Sequence, residues 1–100
     1  MGLTEIRTAI ANSGPELRAE GVSAIYLFGS QGRGDAHEGS DIDLAFDVAQ
    51  EADTRFSLID QARIQLRLEK LLNTHVDFVS LAGMRPRMRA RVEAEMVRIL

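Results

Sequence analysis

Two runs of β-favouring residues, joined by a glycine-rich segment, constrain the fold of this chain more than any other feature. Val22–Phe28 is a continuous apolar run that ends directly at Gly29-Ser30. Residues 41–47 then alternate strictly between acidic or small side chains and large apolar ones. Since alternate residues of a strand point to opposite faces, this run has one acidic and one apolar face. The pattern predicts a buried strand followed by a half-buried strand.

The N-terminal segment reads as two short helices that lead into the first strand. Helical spacing of apolar residues predicts a helix over residues 3–12. Ser13 and Glu16 have the spacing of a capping box, and the second helix runs to about residue 20. Gly21 suits the left-handed position that often ends a helix.

The C-terminal half reads as helix, strand and helix. Asp53-Thr54 is interpreted as the cap of a long helix that reaches about Leu72, and residues 75–80 form a third short strand. Residues 96–100 fit either a helix or an extended segment. Four apolar residues, spaced by four, predict one stripe of the final helix and a place in the core: Met84, Met88, Val92 and Met96.

The order of elements favours a mixed sheet. A long helix between two strands indicates a crossover connection rather than a hairpin. We therefore predict an α/β (α+β) fold in which about three to four strands form a small mixed sheet flanked by helices. With 100 residues, the chain is expected to form one domain over residues 1–100.

Composition limits the cellular compartment and the classes of partner that can be expected for this chain. The chain has no cysteine, and no apolar run approaches the roughly 20 residues of a membrane span. The N-terminus lacks the apolar core of a signal peptide. A net charge of −3 disfavours a general nucleic-acid binder. These features predict a cytoplasmic protein that does not associate with membranes.

Acidic residues on two predicted strands are the candidate metal ligands. Asp41 and Asp43 share a strand face at a spacing of about 6.6 Å, where two charges repel by roughly 2.5 kcal/mol at an effective dielectric near 20. A cation such as Mg²⁺, which prefers carboxylate oxygens, would offset that repulsion. A solvated acidic strand face is the alternative. Asp77 on the third strand can face the same side, to bind metal or to accept a proton from an attacking hydroxyl.

The Gly29-Ser30 turn is a candidate phosphate site. Glycine lets the backbone approach a ligand closely, and the amides at a helix start favour an anion. The Ser30 hydroxyl can donate to a phosphate, although a plain turn with a serine cap has the same sequence. Arginines at 85–91 are spread around the final helix, so a solvated surface with some partner contact is favoured over nucleic-acid binding. His75 is interpreted as structural.

Taken together, the pattern GS-x3-G-x5-SD-x-DL resembles the signature of the DNA polymerase β-type nucleotidyltransferase superfamily. The size of the chain is similar to that of the minimal nucleotidyltransferase (MNT) domain proteins. Gln31 stands where relatives often carry Arg, whereas Arg33 keeps the other common arginine. The matching residues are Tyr26, Leu27, Phe28, Gly29, Ser30, Gly34, Ser40, Asp41, Asp43, Leu44 and Asp77.

The resemblance implies a site and a reaction. Asp41, Asp43 and Asp77 would hold two Mg²⁺ ions and act as the catalytic residues. Gly29 and Ser30 would hold the β- and γ-phosphates of ATP. Attack on the α-phosphorus would transfer AMP and release pyrophosphate. The further nucleotide-binding residues implied are Arg33, Gly34 and Ser40.

The MNT resemblance also implies a partner. Its members are antitoxins that adenylylate a tyrosine of a HEPN-domain toxin, so a hetero-oligomer with such a toxin is expected. Because the chain has no room for an acceptor-binding domain, an acceptor held by another chain is favoured. Two alternatives stay open, namely the catalytic subunit of a small-molecule nucleotidyltransferase and a non-catalytic antitoxin that acts by binding alone.

Overall fold

The computed structural model describes residues 2–29 and 42–100, where two helices and two strands are followed by a helix, a strand, a helix and a strand. A one-turn 3₁₀ helix at Gln50–Ala52 precedes the longest helix. The helices are α1 (Leu3–Asn12), α2 (Gly14–Ala19), α3 (Leu58–Leu72) and α4 (Pro86–Glu95). The strands are β1 (Val22–Phe28), β2 (Ile42–Val48), β3 (Val76–Ser80) and β4 (Val97–Arg98).

The four strands form one mixed sheet in the order β3-β2-β1-β4. β1 pairs antiparallel with β2 and with β4, whereas β2 and β3 run parallel. Two parallel neighbours need a crossover, and α3 supplies it, as the sequence predicts. The predicted α/β fold with a small mixed sheet is therefore confirmed.

The two faces of the sheet are covered differently. The main core lies on the face where α1, α2 and α3 pack, and its largest aromatic contact is the stack of Phe46 on Phe78, with ring centroids 4.2 Å apart. A smaller cluster on the other face contains Ala45, Leu81 and Val92, and includes residues of α4. The acidic face of β2 is on this less covered side.

The predicted start of the long helix is wrong. The helix begins at Leu58 rather than near Asp53-Thr54, because Ser57 and Asp60 form a complete capping box. The Ser57 amide donates to the Asp60 carboxylate at 2.9 Å, and the Asp60 amide donates to Ser57 Oγ at 3.2 Å. The predicted end is confirmed by Asn73, which has a left-handed backbone at φ 54°.

The predicted capping box at Ser13 is also wrong. α1 and α2 are separated by Ser13 alone, whose amide bonds back to Ile10 O at 3.1 Å and whose side chain makes no capping hydrogen bond. Its backbone, at φ −94° and ψ 1°, lacks the extended conformation of a typical N-cap. Gly21, by contrast, has the predicted left-handed conformation at φ 105°.

The end of the chain is extended rather than helical. α4 stops before Met96, and β4 then pairs with Tyr26 and Leu27 of β1. Of the stripe predicted as core, Val92 is buried, but Met88 is 49% exposed.

Within residues 2–29 and 42–100, no helix combines the length and hydropathy of a membrane span. The helical turn predicted over residues 30–34 and the loop over 35–39 lie outside the described residues.

Candidate active site

Two aspartates on neighbouring strands are the centre of the candidate site. Asp43 of β2 and Asp77 of β3 are direct register partners in the parallel pair. Their flanking residues on each strand, such as Leu44 and Phe78, are buried in the main core. Since strand residues alternate, both carboxylates lie on the opposite face, and neighbouring strands are only about 4.8 Å apart. The sheet therefore brings Asp43 and Asp77 together.

Paired carboxylates at this spacing favour a bound cation. Two unit charges about 4.8 Å apart repel by roughly 3.5 kcal/mol at an effective dielectric of 20, and by about a quarter of that in water. Asp43 is half-buried, and the Asp77 side chain is 50% exposed, so their environment lies between these limits. Carboxylate oxygens are the ligands that Mg²⁺ prefers. The pair therefore fits a divalent magnesium ion, which would remove the repulsion.

Gly29 is held against the Asp43 carboxylate. Its backbone has φ 74°, a conformation that L-residues with a Cβ rarely adopt. A Cβ added at this position would lie 2.5 Å from Asp43 Oδ2, well inside van der Waals contact. Both the backbone conformation and the close approach therefore require glycine. The predicted phosphate-binding turn begins next to a predicted metal ligand.

His75, which the sequence interpretation treated as structural, lies next to Asp77. Its Nδ1 is 4.0 Å from Asp77 Oδ1, and its Nε2 is 3.7 Å from Glu69 Oε2. The Glu69 carboxylate also accepts a hydrogen bond from the Val76 amide at 3.0 Å. The sequence signal for this proximity was the two-residue spacing of His75 and Asp77, since residues i and i+2 of an extended segment share a face.

Asp47, on the same face of β2, belongs to a different interaction. It is four residues from Asp43, or about 13 Å along an extended strand. The Tyr26 hydroxyl donates to Asp47 Oδ2 at 3.1 Å. Burial and this hydrogen bond raise the pKa of Tyr26 above its usual value of about 10. Asp47 is thus separated from the pair and serves as a matched control for it.

Several predicted site residues lie outside the described part of the chain. Within residues 2–29 and 42–100, no three metal-binding side chains form a cluster. The described pair supplies two of the three predicted ligands, and Asp41 would supply the third. The roles predicted for these residues stay predictions: Ser30, Arg33, Gly34, Ser40 and Asp41.

Comparison with known proteins is consistent with this geometry. A family model described as "Polymerase beta, Nucleotidyltransferase" matches residues 16–100. The chain is 31% identical to "Putative protein adenylyltransferase MJ0435" of Methanocaldococcus jannaschii, over the whole length of both proteins.

Two solved structures share the fold. One, described as "Structure of putative minimal nucleotidyltransferase", has a TM-score of 0.81 and 35% identity, covering 97% of this chain and 95% of the other. The second, a toxin-antitoxin crystallised with AMP-PNP, has a TM-score of 0.75 and 26% identity, covering 94% of this chain and 72% of the matched one. The fold is therefore that of nucleotidyltransferases.

Proposed function

Because the chain belongs to the polymerase β-type nucleotidyltransferase family, we propose that it transfers AMP from ATP to a hydroxyl group of a partner protein. The observation that carries the proposal is the register pair Asp43–Asp77 beside Gly29. The similarity to the relative described as a "Putative protein adenylyltransferase" supports a protein as the acceptor. The similarity to a toxin-antitoxin crystallised with AMP-PNP supports a nucleotide substrate and a toxin partner.

The acceptor we propose is a tyrosine of a HEPN-domain toxin, in a hetero-oligomer with this chain. The tyrosine oxygen forms a bond to the α-phosphorus of ATP while the bond from that phosphorus to the β-phosphate oxygen breaks. AMP is thereby joined to the tyrosine, and pyrophosphate leaves. In this proposal the Asp77 carboxylate acts as the general base and takes the proton of the tyrosine hydroxyl.

The side chains of the site divide this work. Asp43 and Asp77, with Asp41, would hold two Mg²⁺ ions, which when bound neutralise phosphate charge and polarise the phosphorus. Gly29 lets the turn approach the Asp43 carboxylate closely, because a Cβ at this position would lie only 2.5 Å from Asp43 Oδ2. The Ser30 hydroxyl would donate to a phosphate oxygen. The chain thus contributes positioning and fixed charge, on which phosphoryl transfer depends.

The test is AMP transfer measured by intact mass. The purified chain, a HEPN-domain partner, ATP and Mg²⁺ should add whole AMP units to the partner. Asp43→Asn and Asp77→Asn should each lower the rate by at least about a hundredfold. Asp47→Asn is the matched control, because it changes an aspartate on the same strand that bonds Tyr26 instead.

The other outcomes separate the remaining hypotheses. An unmodified partner, both for the native chain and for Asp43→Asn, would refute the enzymatic proposal. If the toxin were neutralised equally well by Asp43→Asn, the chain would act by contact alone. AMP transfer to a free hydroxyl compound without any protein acceptor would identify a small-molecule nucleotidyltransferase.

A further inference from the structure

A pocket of about 480 Å³ opens at the end of β1 that adjoins the carboxylates. Its described lining includes Phe28 and Gly29 of this end, and Arg85, Arg87 and Arg91 from the opposite wall. Gly29 is the residue packed against Asp43 Oδ2, so the pocket and the candidate site share a boundary. A volume of this size is typical of sites for small organic ligands.

The three arginines of the pocket are not neutralised by the described residues. Arg87 and Arg91 are one turn apart on α4 and exposed, and Arg85 immediately precedes the helix. Within residues 2–29 and 42–100, no ion pair or side-chain hydrogen bond involves any of these three guanidinium groups. Neighbouring Arg89 does have a partner, since its Nε is 3.4 Å from Glu93 Oε1.

Such a cluster calls for an anion. Three guanidinium groups around one pocket repel each other, and arginine is well suited to bind phosphate with two parallel hydrogen bonds. The described lining contains one acid, Glu95, which has an interaction of its own. The described lining is therefore net positive, although the whole chain carries −3.

The rest of the lining is apolar. Phe28 and Met88 contribute an aromatic ring and a thioether, and the buried Val92 also lines the pocket. Met88 is 49% exposed, so its apolar surface is available to a ligand. Inorganic phosphate would leave this surface in water, and an apolar ligand would leave the arginines without partners. A nucleotide satisfies both, because the aromatic faces of its base can pack on apolar side chains and its phosphates are anionic.

We propose that α4 forms a second wall of the nucleotide site, an assignment that rests on the proposed function. Arg85, Arg87 and Arg91 bind the phosphates of ATP across the pocket from Gly29. The base packs against Phe28 and Met88. The arginine-rich segment therefore takes part in substrate binding, where the sequence pattern alone favoured a solvated surface.

The test is equilibrium binding of ATP, ADP, AMP and adenosine by calorimetry, with Mg²⁺ present and in its absence. Arg87→Gln/Arg91→Gln should weaken ATP binding at least tenfold, because hydrogen bonds to charged groups are the strongest kind. The loss should shrink from ATP to AMP and vanish for adenosine. Arg89→Gln, on the same helix but paired with Glu93, should bind ATP within about twofold of the native chain.

A second variant tests the apolar half of the pocket. Met88→Gln should weaken adenosine and ATP by the same factor, since both contain the base. Circular dichroism at the binding temperature controls for folding, and the exposure of Arg87, Arg91 and Met88 makes unfolding of these variants unexpected.

Each alternative result has a separate meaning. If the native chain binds ATP and Arg87→Gln/Arg91→Gln binds it equally well, the α4 assignment is wrong while the proposed function stands. If the native chain binds no nucleotide, both are wrong. If nucleotide binding is unchanged but affinity for the partner protein falls, the arginines contact the acceptor, and the assignment to nucleotide is overturned.

Discussion

Replacing Gly29 by alanine adds a single methyl group at the point where β1 meets the candidate site. The methyl carbon would lie 2.5 Å from Asp43 Oδ2, whereas an ordinary contact begins at 3.4 Å. The carboxylate therefore has to retreat by about 0.9 Å, the difference between these distances, or the turn has to move by as much. Either response displaces a predicted metal ligand relative to the predicted phosphate-binding turn.

Two magnitudes follow from this geometry. The left-handed backbone at φ 74° costs an alanine about 1–2 kcal/mol of folding free energy. A misplacement of roughly 1 Å among reacting groups costs on the order of a hundredfold in rate. Gly29→Ala should therefore lower the unfolding free energy modestly and the rate of AMP transfer severely. Mg²⁺-dependent ATP binding should weaken as well.

Gly21→Ala separates these two effects. Gly21 has φ 105°, and its added Cβ would lie 2.9 Å from Ala52 Cβ, so this variant is also strained. It lies at the other end of β1, about 26 Å away along an extended strand. Urea unfolding should show comparable losses of stability for both variants, and only Gly29→Ala should lose activity. Equal activity in the two would refute the reasoning, whereas Gly83→Ala, with no contact closer than 3.6 Å, should change neither property.

Four further predictions concern stability. Ser57→Ala should lower the unfolding free energy by about 1 kcal/mol in urea, because the α3 cap is lost. Hydrogen bonds from the Ser57 backbone and side chain lower the pKa of Asp60. The stability that the Asp60 carboxylate contributes is therefore present above its unfolded pKa and is lost as pH falls through its folded pKa. Asp60→Asn should lower the unfolding free energy at pH 7 but match the native chain in acid. The raised pKa of Tyr26 gives stability that is lost as pH rises through it, so Tyr26→Phe should flatten the alkaline part of the stability profile. Phe46→Ala should lower the unfolding free energy by about 3–5 kcal/mol, measured by thermal unfolding, because Phe46 is only 1% exposed.

Periodicity predicted the sheet well because burial dominates the pattern of its strands. β1 was placed correctly, residues 42–47 of the predicted second strand lie in β2, and the crossover helix required β2 and β3 to be parallel. The family was predicted from the spacing of acids and glycines and is confirmed by the matched family model. Both predictions depend on residue type and spacing, which can be read directly from the sequence.

Helix boundaries were less predictable, because several residues could cap the same segment. Asp53-Thr54 and Ser57 were both suitable caps, and the choice depends on Asp60, whose carboxylate reaches back to the Ser57 amide. Ile59 has helical spacing with core residues yet is 78% exposed. Spacing alone does not show which side of a helix meets the sheet.

For the candidate site, individual residues were predictable from the sequence, but their contacts were not. Gly29 and Asp43 were singled out from their motif, but the contact between them depends on how β1 pairs with β2. The arginines of α4 alternate with apolar residues in sequence, and only the fold brings them next to Phe28. Residues distant along the chain share a pocket for reasons that no local pattern records.

The main core and the candidate site lie on opposite faces of the sheet. Asp43 and Asp77 owe their separation to the hydrogen bonds between two backbones, not to a loop that could relax. Mutations beneath the sheet, among the helices of the main core, can therefore strengthen or weaken the scaffold while the gap between the acids stays nearly constant. Substitutions in the main core and substitutions on the open face could therefore change stability and the candidate site as two independent tasks.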